Sequence, residues 1–475
     1  MEERQYDLVV IGSGSAGFAA AIRASTIGRS VAIVEAGTVG GTCVNTGCVP
    51  SKALLAAAEA RQTAADADRF PGLASAQLEL DARALVAGKR ELVEWMRAEK
   101  YLDLVDYYRW DLYRGLGSFT GDARDPALEV GLAEGGRERL RGGHYLIATG
   151  SAPWIPDVPG LGGSGYLTSE TAMELDQVPE SLLIAGGGFV AVEQAQLFAR
   201  LGSRVTMLVR SRLLSREEPE VAPALGAVFA DEGIDVVRRA VPLDVRADDG
   251  GVVVRAGVAG ASREFRAAKL LVATGRRAVT SGLNLSAVGI ETGPRGEVPV
   301  DTTLRTANPR IWAAGDVTGH PEYVYVAAAH GSIAAENALA GAGRTVGYDR
   351  LPRVAFTGPA VAAVGLTDRE ATARGIACDC RVLPLELVPR ALVNRDTRGF
   401  IKLVAEQGSG RLLGMTAVAR DAGELAAAGV HLLEAGTTVG ELAGRWAPYL
   451  TMAEGLKLAA ESYTQDVALL SCCAV

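Results

Sequence analysis

A chain of 475 residues exceeds what one ordinary core needs, and two or three domains of roughly 100 to 200 residues each are expected. Its net charge of −8 argues against a partner held through nucleic-acid phosphates, and no apolar run approaches the roughly 20 residues of a membrane helix. No basic region with an apolar stretch precedes the first strand-like run, so a cytoplasmic address is expected.

The first elements in chain order are a strand, a Gly-rich turn, an Ala-rich helix and a second strand over residues 7–35. This βαβ unit carries Gly12, Gly14 and Gly17 as G-x-G-x-x-G, the spacing that lets a backbone turn tightly, approach a pyrophosphate and pack a helix on a sheet. Glu35 follows at the strand end, where a carboxylate can accept from ribose hydroxyls. Next comes GTCVNTGCVPSK, residues 41–52, with Cys43 and Cys48 separated by four residues. An Ala-rich helical stretch to Ala60 puts Cys48 near a helix N-terminus, where the dipole favours a thiolate. A structural zinc needs four ligands and only four scattered histidines are available, so a redox dithiol is the better reading.

The βαβ construction recurs 174 residues later, with Gly186, Gly188 and Ala191 on the positions of Gly12, Gly14 and Gly17. The counterpart of Glu35 is Val209, followed by Arg210 and Arg212. Guanidiniums in place of the carboxylate suit a 2′-phosphate, so the second site is expected to take NADPH and the first a dinucleotide lacking that phosphate. Two matching strands, YLIATGS at 145–151 and LLVATGR at 270–276, the latter including Gly275, bracket this second unit. The second nucleotide domain is therefore expected as an insertion at 151–275, which splits the first into 1–150 and 276–348. RIWAAGDVTG at 310–319 reads as a strand ending at Asp316, able to hydrogen-bond a polyol chain. From 349 to 475 strands and helices alternate with no phosphate loop, a third domain.

In these motifs, taken together and in this order, the chain resembles the pyridine nucleotide-disulfide oxidoreductases, the group of glutathione reductase, dihydrolipoamide dehydrogenase and mercuric reductase. The resemblance implies an α/β fold of two Rossmann-like domains, for FAD and NADPH, with a C-terminal α+β dimerisation domain in a homodimer whose active site is shared between subunits. It implies that Cys48 touches the flavin and Cys43 faces substrate. By the same resemblance Lys52 stands beside the flavin's reactive nitrogen, with Glu193 as its carboxylate partner near the nicotinamide. Phe189 is implied as the aromatic gate over the flavin, and Gly37, Thr42, Asp316 and Val324 as FAD neighbours.

Two departures choose among members. Aligning Thr451 and Glu454 places Tyr449 where disulfide reductases of the group carry a His acid/base, and a phenol titrating near 10 cannot readily cycle protons with a thiol at neutral pH. The histidines His144, His320, His330 and His431 fall in no equivalent motif and read as structural or solvated. The chain also ends in LLSCCAV, where Cys472 and Cys473 suit capture of a soft cation and its hand-over by ligand exchange. Both resemble the mercuric reductase branch, as does VPRALVNRDTRGFIKLV at 388–404. The resemblance implies reduction of Hg²⁺, delivered as small thiol complexes, with Cys472, Cys473, Cys43 and Cys48 as its ligands and Tyr449 assisting transfer. The alternatives are a disulfide reductase of the glutathione reductase or dihydrolipoamide dehydrogenase type and a metal-sequestering flavoprotein. Cys378 and Cys380 read as surface cysteines ahead of a further soft-metal port.

Overall fold

The computed structural model describes residues 3–248 and 250–470, which fall into two compact units. The first comprises 1–53, 83–154 and 275–347; the second comprises 54–82, 155–274 and 348–475.

In the first unit the strand Glu3–Ile11 is central because Leu8, Val9, Val10 and Ile11 are all buried, as a parallel strand covered on both faces requires. It pairs in parallel with Val31–Glu35 on one side and with Arg137–Ile147 on the other. Val31–Glu35 continues to Asp111–Gly121, and Arg137–Ile147 to Ile311–Ala313, again in parallel. The long strands Asp111–Gly121 and Arg137–Ile147 also pair antiparallel with Pro126–Leu132. Helix Ser15–Thr26 lies on this sheet through Ala20, Ala21 and Ala24, all fully buried, and packs on helix Val324–Ala340. Small residues set that approach. A Cβ at Gly331 would stand 2.0 Å from the Ala16 carbonyl oxygen.

The second unit holds a four-stranded parallel sheet in the order Lys269–Val272, Ser181–Ala185, Arg204–Val209, Asp235–Arg238, with helix Phe189–Leu201 after the Gly-rich turn. A three-stranded antiparallel sheet over 240–267 adjoins it. Residues 353–419 form a five-stranded antiparallel sheet packed by helices Ala422–Glu434 and Glu454–Glu461. Two nucleotide-type sheets, one mixed around a parallel core and one parallel, plus an α+β region are the fold class that the sequence predicts. Residues 54–82, including most of helix Cys48–Ala65, group with the second unit, a feature that periodicity does not carry. Among the described residues no helix is long and apolar enough to cross a membrane.

Candidate active site

The Gly-rich turn of the first unit is built by sterics. Gly12 has φ +105° and a Cβ there would lie 2.3 Å from the Ala148 carbonyl oxygen, while its N–H donates to Val34. Gly14 is the extended residue before helix Ser15–Thr26, and first-turn N–H groups have no partner within a helix. A second glycine turn touches this one: a Cβ at Gly41 would stand 2.6 Å from Gly14 Cα. The Glu35 carboxylate is held ready, accepting from Ser13 N (2.9 Å), Ser13 Oγ (2.5 Å) and Gly37 N (2.6 Å).

Across the same unit Asp316 accepts from Ser151 Oγ at 2.7 Å, and Ser151 Oγ accepts from Arg276 Nε at 2.8 Å. The strand predicted to end at Asp316 stops at Ala313, and Asp316 sits on the 3₁₀ turn Gly315–Thr318. That turn is tied down by Gly315 N–H donating to His330 Nδ1 (3.2 Å). Gly275, at φ +126°, accepts from Trp154 N through its carbonyl, and Val324 opens the helix Val324–Ala340.

Cys43 lies on the helical turn Gly41–Asn45, with Thr42 before it, and Cys48 is the first residue of helix Cys48–Ala65. Both are half-buried thiols, not joined in a disulfide. Cys43 is hydrogen-bonded to Cys48, which together with burial and the Cys48 charge pushes its pKa up; Lys52 opposes the shift electrostatically. Of the two thiols, Cys43 is therefore the one whose surroundings hold its proton. Tyr101 stands near enough to feel both cysteines, its own pKa raised by burial and then by Cys43. It belongs to a π-helical stretch, Ala98–Leu102, and its ring packs edge-on against Phe18. Asn45 donates to the carbonyls of Val39 (3.0 Å) and Gly41 (2.9 Å), and Arg97 donates to Asn45 Oδ1 (3.2 Å), which fixes the turn carrying Cys43. Tyr101, Asn45 and Arg97 escaped the sequence reading. An Asn beside a glycine turn is a usable signal; nothing local marks the other two.

In the second unit Gly186 has φ +145° and donates to Leu208, Gly188 precedes the helix, and Phe189 is its half-buried first residue. Glu193 is buried and accepts from Phe356 N at 2.9 Å. Arg210 is exposed; Arg212 is half-buried and donates to the carbonyls of Ser215 (3.1 Å) and Glu217 (2.9 Å). Arg212 thus shapes the loop after Val209. Tyr449 is 46% exposed on a turn closed by Leu450 N donating to Glu454 (3.1 Å) and by Thr451 Oγ1 donating to the Pro448 carbonyl (2.8 Å). Cys472 and Cys473 lie outside the described residues.

Family models for the pyridine nucleotide-disulphide oxidoreductases match residues 6–331, and those for the dimerisation domain of the same proteins match 351–460. The chain belongs to this family. This oxidoreductase is 58% identical to the mercuric reductase of Streptomyces lividans, over 99% of this chain and 98% of that one. The mercuric reductase of Bacillus cereus is 43% identical over 99% of this chain and 73% of its own length. Among solved structures, the Cu(II) complex of the HOCl-induced flavoprotein disulfide reductase RclA of Escherichia coli superposes with a TM-score of 0.86 at 28% identity, covering 97% of this chain and all of that one. LpdA of Mycobacterium tuberculosis does so with a TM-score of 0.86 at 27% identity, with the same coverage.

Proposed function

We propose that this oxidoreductase reduces Hg²⁺ to elemental mercury with NADPH, through FAD, in the cytoplasm. The observation that carries the reading is the Cys43–Cys48 dithiol, hydrogen-bonded, not joined in a disulfide and half-buried, in a chain alike from end to end to a mercuric reductase.

The residues present fit both nucleotides. The touching glycine turns at Gly14 and Gly41 leave a cradle that side chains would fill, with Gly12, Gly14, Gly17, Gly37 and Thr42 around it for the FAD pyrophosphate. Glu35 would take the ribose hydroxyls, and Asp316 and Val324 the far end of the cofactor, with Lys52 beside its reactive ring. Gly186, Gly188, Phe189 and Glu193 would hold NADPH, with Arg210 and Arg212 on its 2′-phosphate. When bound, FAD supplies a two-electron relay between nicotinamide and substrate.

The chain's own contribution is to bind and orient the metal. Cys48 enters as thiolate and Cys43 gives up its proton as Hg²⁺ exchanges from two small thiolate carriers onto the pair; one carrier leaves as a thiol with that proton and the other as a thiolate. The net reaction is NADPH + Hg²⁺ → NADP⁺ + Hg⁰ + H⁺. In the homodimer, Cys472 and Cys473 of the partner subunit would pass the metal in, assisted by Tyr449. A phenol there suits transfer of a metal rather than cycling of a thiol proton.

Purified enzyme with excess monothiol should oxidise NADPH faster on addition of Hg²⁺ and not on addition of oxidised glutathione or lipoamide. The opposite pattern would establish a disulfide reductase, and no NADPH consumption at all a sequestering protein.

A further inference from the structure

Strand Cys378–Pro384 is an edge strand of the five-stranded sheet, paired on one side to Phe400–Glu406 with Cys378 opposite Glu406 and Cys380 opposite Val404. Residues two apart on a strand share a face. The two sulfurs stand 3.8 Å apart, both half-buried, and the next residue on that face, Val382, is 43% exposed. Closure to a disulfide is disfavoured: in an extended strand alternate Cα atoms are about 6.6 Å apart, at the upper end of the range a disulfide spans. The strand is held extended by its ladder, while Tyr463 donates to the Leu403 carbonyl (2.9 Å) and the Asp379 carbonyl (3.1 Å).

We infer that Cys378 and Cys380 form a second thiophilic-cation site, in which the two sulfurs bind Hg²⁺ as a two-coordinate dithiolate. Among the described residues no group of three or more His, Cys, Asp or Glu side chains is arranged to hold a metal. The pair therefore suits a cation content with two thiolates rather than one that needs four ligands. With metal–sulfur bonds of about 2.3 Å a linear bridge needs sulfurs roughly 4.6 Å apart, a widening that modest χ1 rotation supplies.

The charge around the strand favours a cation. Lys402, opposite Val382, is enclosed by Glu218, Glu220 and Asp368, so one ammonium faces three carboxylates. Cys380 is near enough for Asp368 to raise its pKa and Lys402 to lower it; burial and then the hydrogen bond to Cys378 push it up to about 12. Cys380 is thus protonated at neutral pH. Binding is Hg²⁺ + 2 RSH → Hg(SR)₂ + 2 H⁺, with no redox change.

The site is tested apart from turnover in the FAD-loaded variant Cys43→Ser/Cys48→Ser/Cys472→Ser/Cys473→Ser, in which Cys378 and Cys380 are the only cysteines left of six. Equilibrated with Hg²⁺ in the presence of excess cysteine and then desalted, it should retain one mercury per chain, and both thiols should stop reacting with a disulfide reagent. Adding Cys378→Ser should lower retention at least tenfold. Zn²⁺ in the same protocol should be lost. Retention below a tenth of a mercury per chain, retention indifferent to Cys378→Ser, or equal retention of Zn²⁺ would each overturn the assignment.

Discussion

His330 ties proton binding to the turn that carries Asp316. The ring is fully buried and accepts from Gly315 N–H through Nδ1, so the neutral imidazole carries its proton on Nε2. Burial, with a smaller contribution from nearby His320, lowers its pKa to about 4, against about 6.5 in the unfolded chain. The unfolded chain binds more protons between those values. Stability that is fully present above pH 6.5 is therefore lost as pH falls toward 4. Between pH 7.5 and 5.0 the linkage amounts to about 2 kcal/mol. His330→Asn keeps an acceptor where Nδ1 lies and removes the titration, so its packing cost is the same at every pH. In urea unfolding of the FAD-loaded proteins from pH 5.0 to 7.5, the parent should lose about 2 kcal/mol more than the variant as pH drops. A gap between the two proteins that stays constant over this range refutes the account.

Lys402→Met should destabilise the protein by about 3–5 kcal/mol at pH 7, because Glu218 is only 1% exposed and loses its counter-ion. That deficit, read by chemical unfolding, should shrink toward pH 5 as the orphaned carboxylates take up protons; a pH-independent deficit contradicts it. Arg210→Ala with Arg212→Ala should raise KM for NADPH at least tenfold more than KM for NADH, and an equal rise for both removes the 2′-phosphate role. Cys472→Ala with Cys473→Ala should slow turnover most for mercury presented as bulky thiol complexes. Unchanged steady-state rates with every complex would remove the tail from the delivery route.

What the amino-acid order determined alone is local. The two βαβ units, their glycine turns and the dithiol at a helix start were legible because backbone sterics at Gly12 and Gly186 and the burial of runs such as Leu8–Ile11 act within a few residues. The C-terminal α+β region was legible only in texture. Tertiary structure alone brought Tyr101 and Arg97 to the dithiol turn, grouped residues 54–82 with the second unit, and enclosed Lys402 in carboxylates from positions 218, 220 and 368. It also turned the spacing of Cys378 and Cys380 from two surface residues into sulfurs facing one another along an edge strand. Each of these depends on contacts between distant segments, whose geometry is set by how sheets and helices pack and which leave no period in the chain.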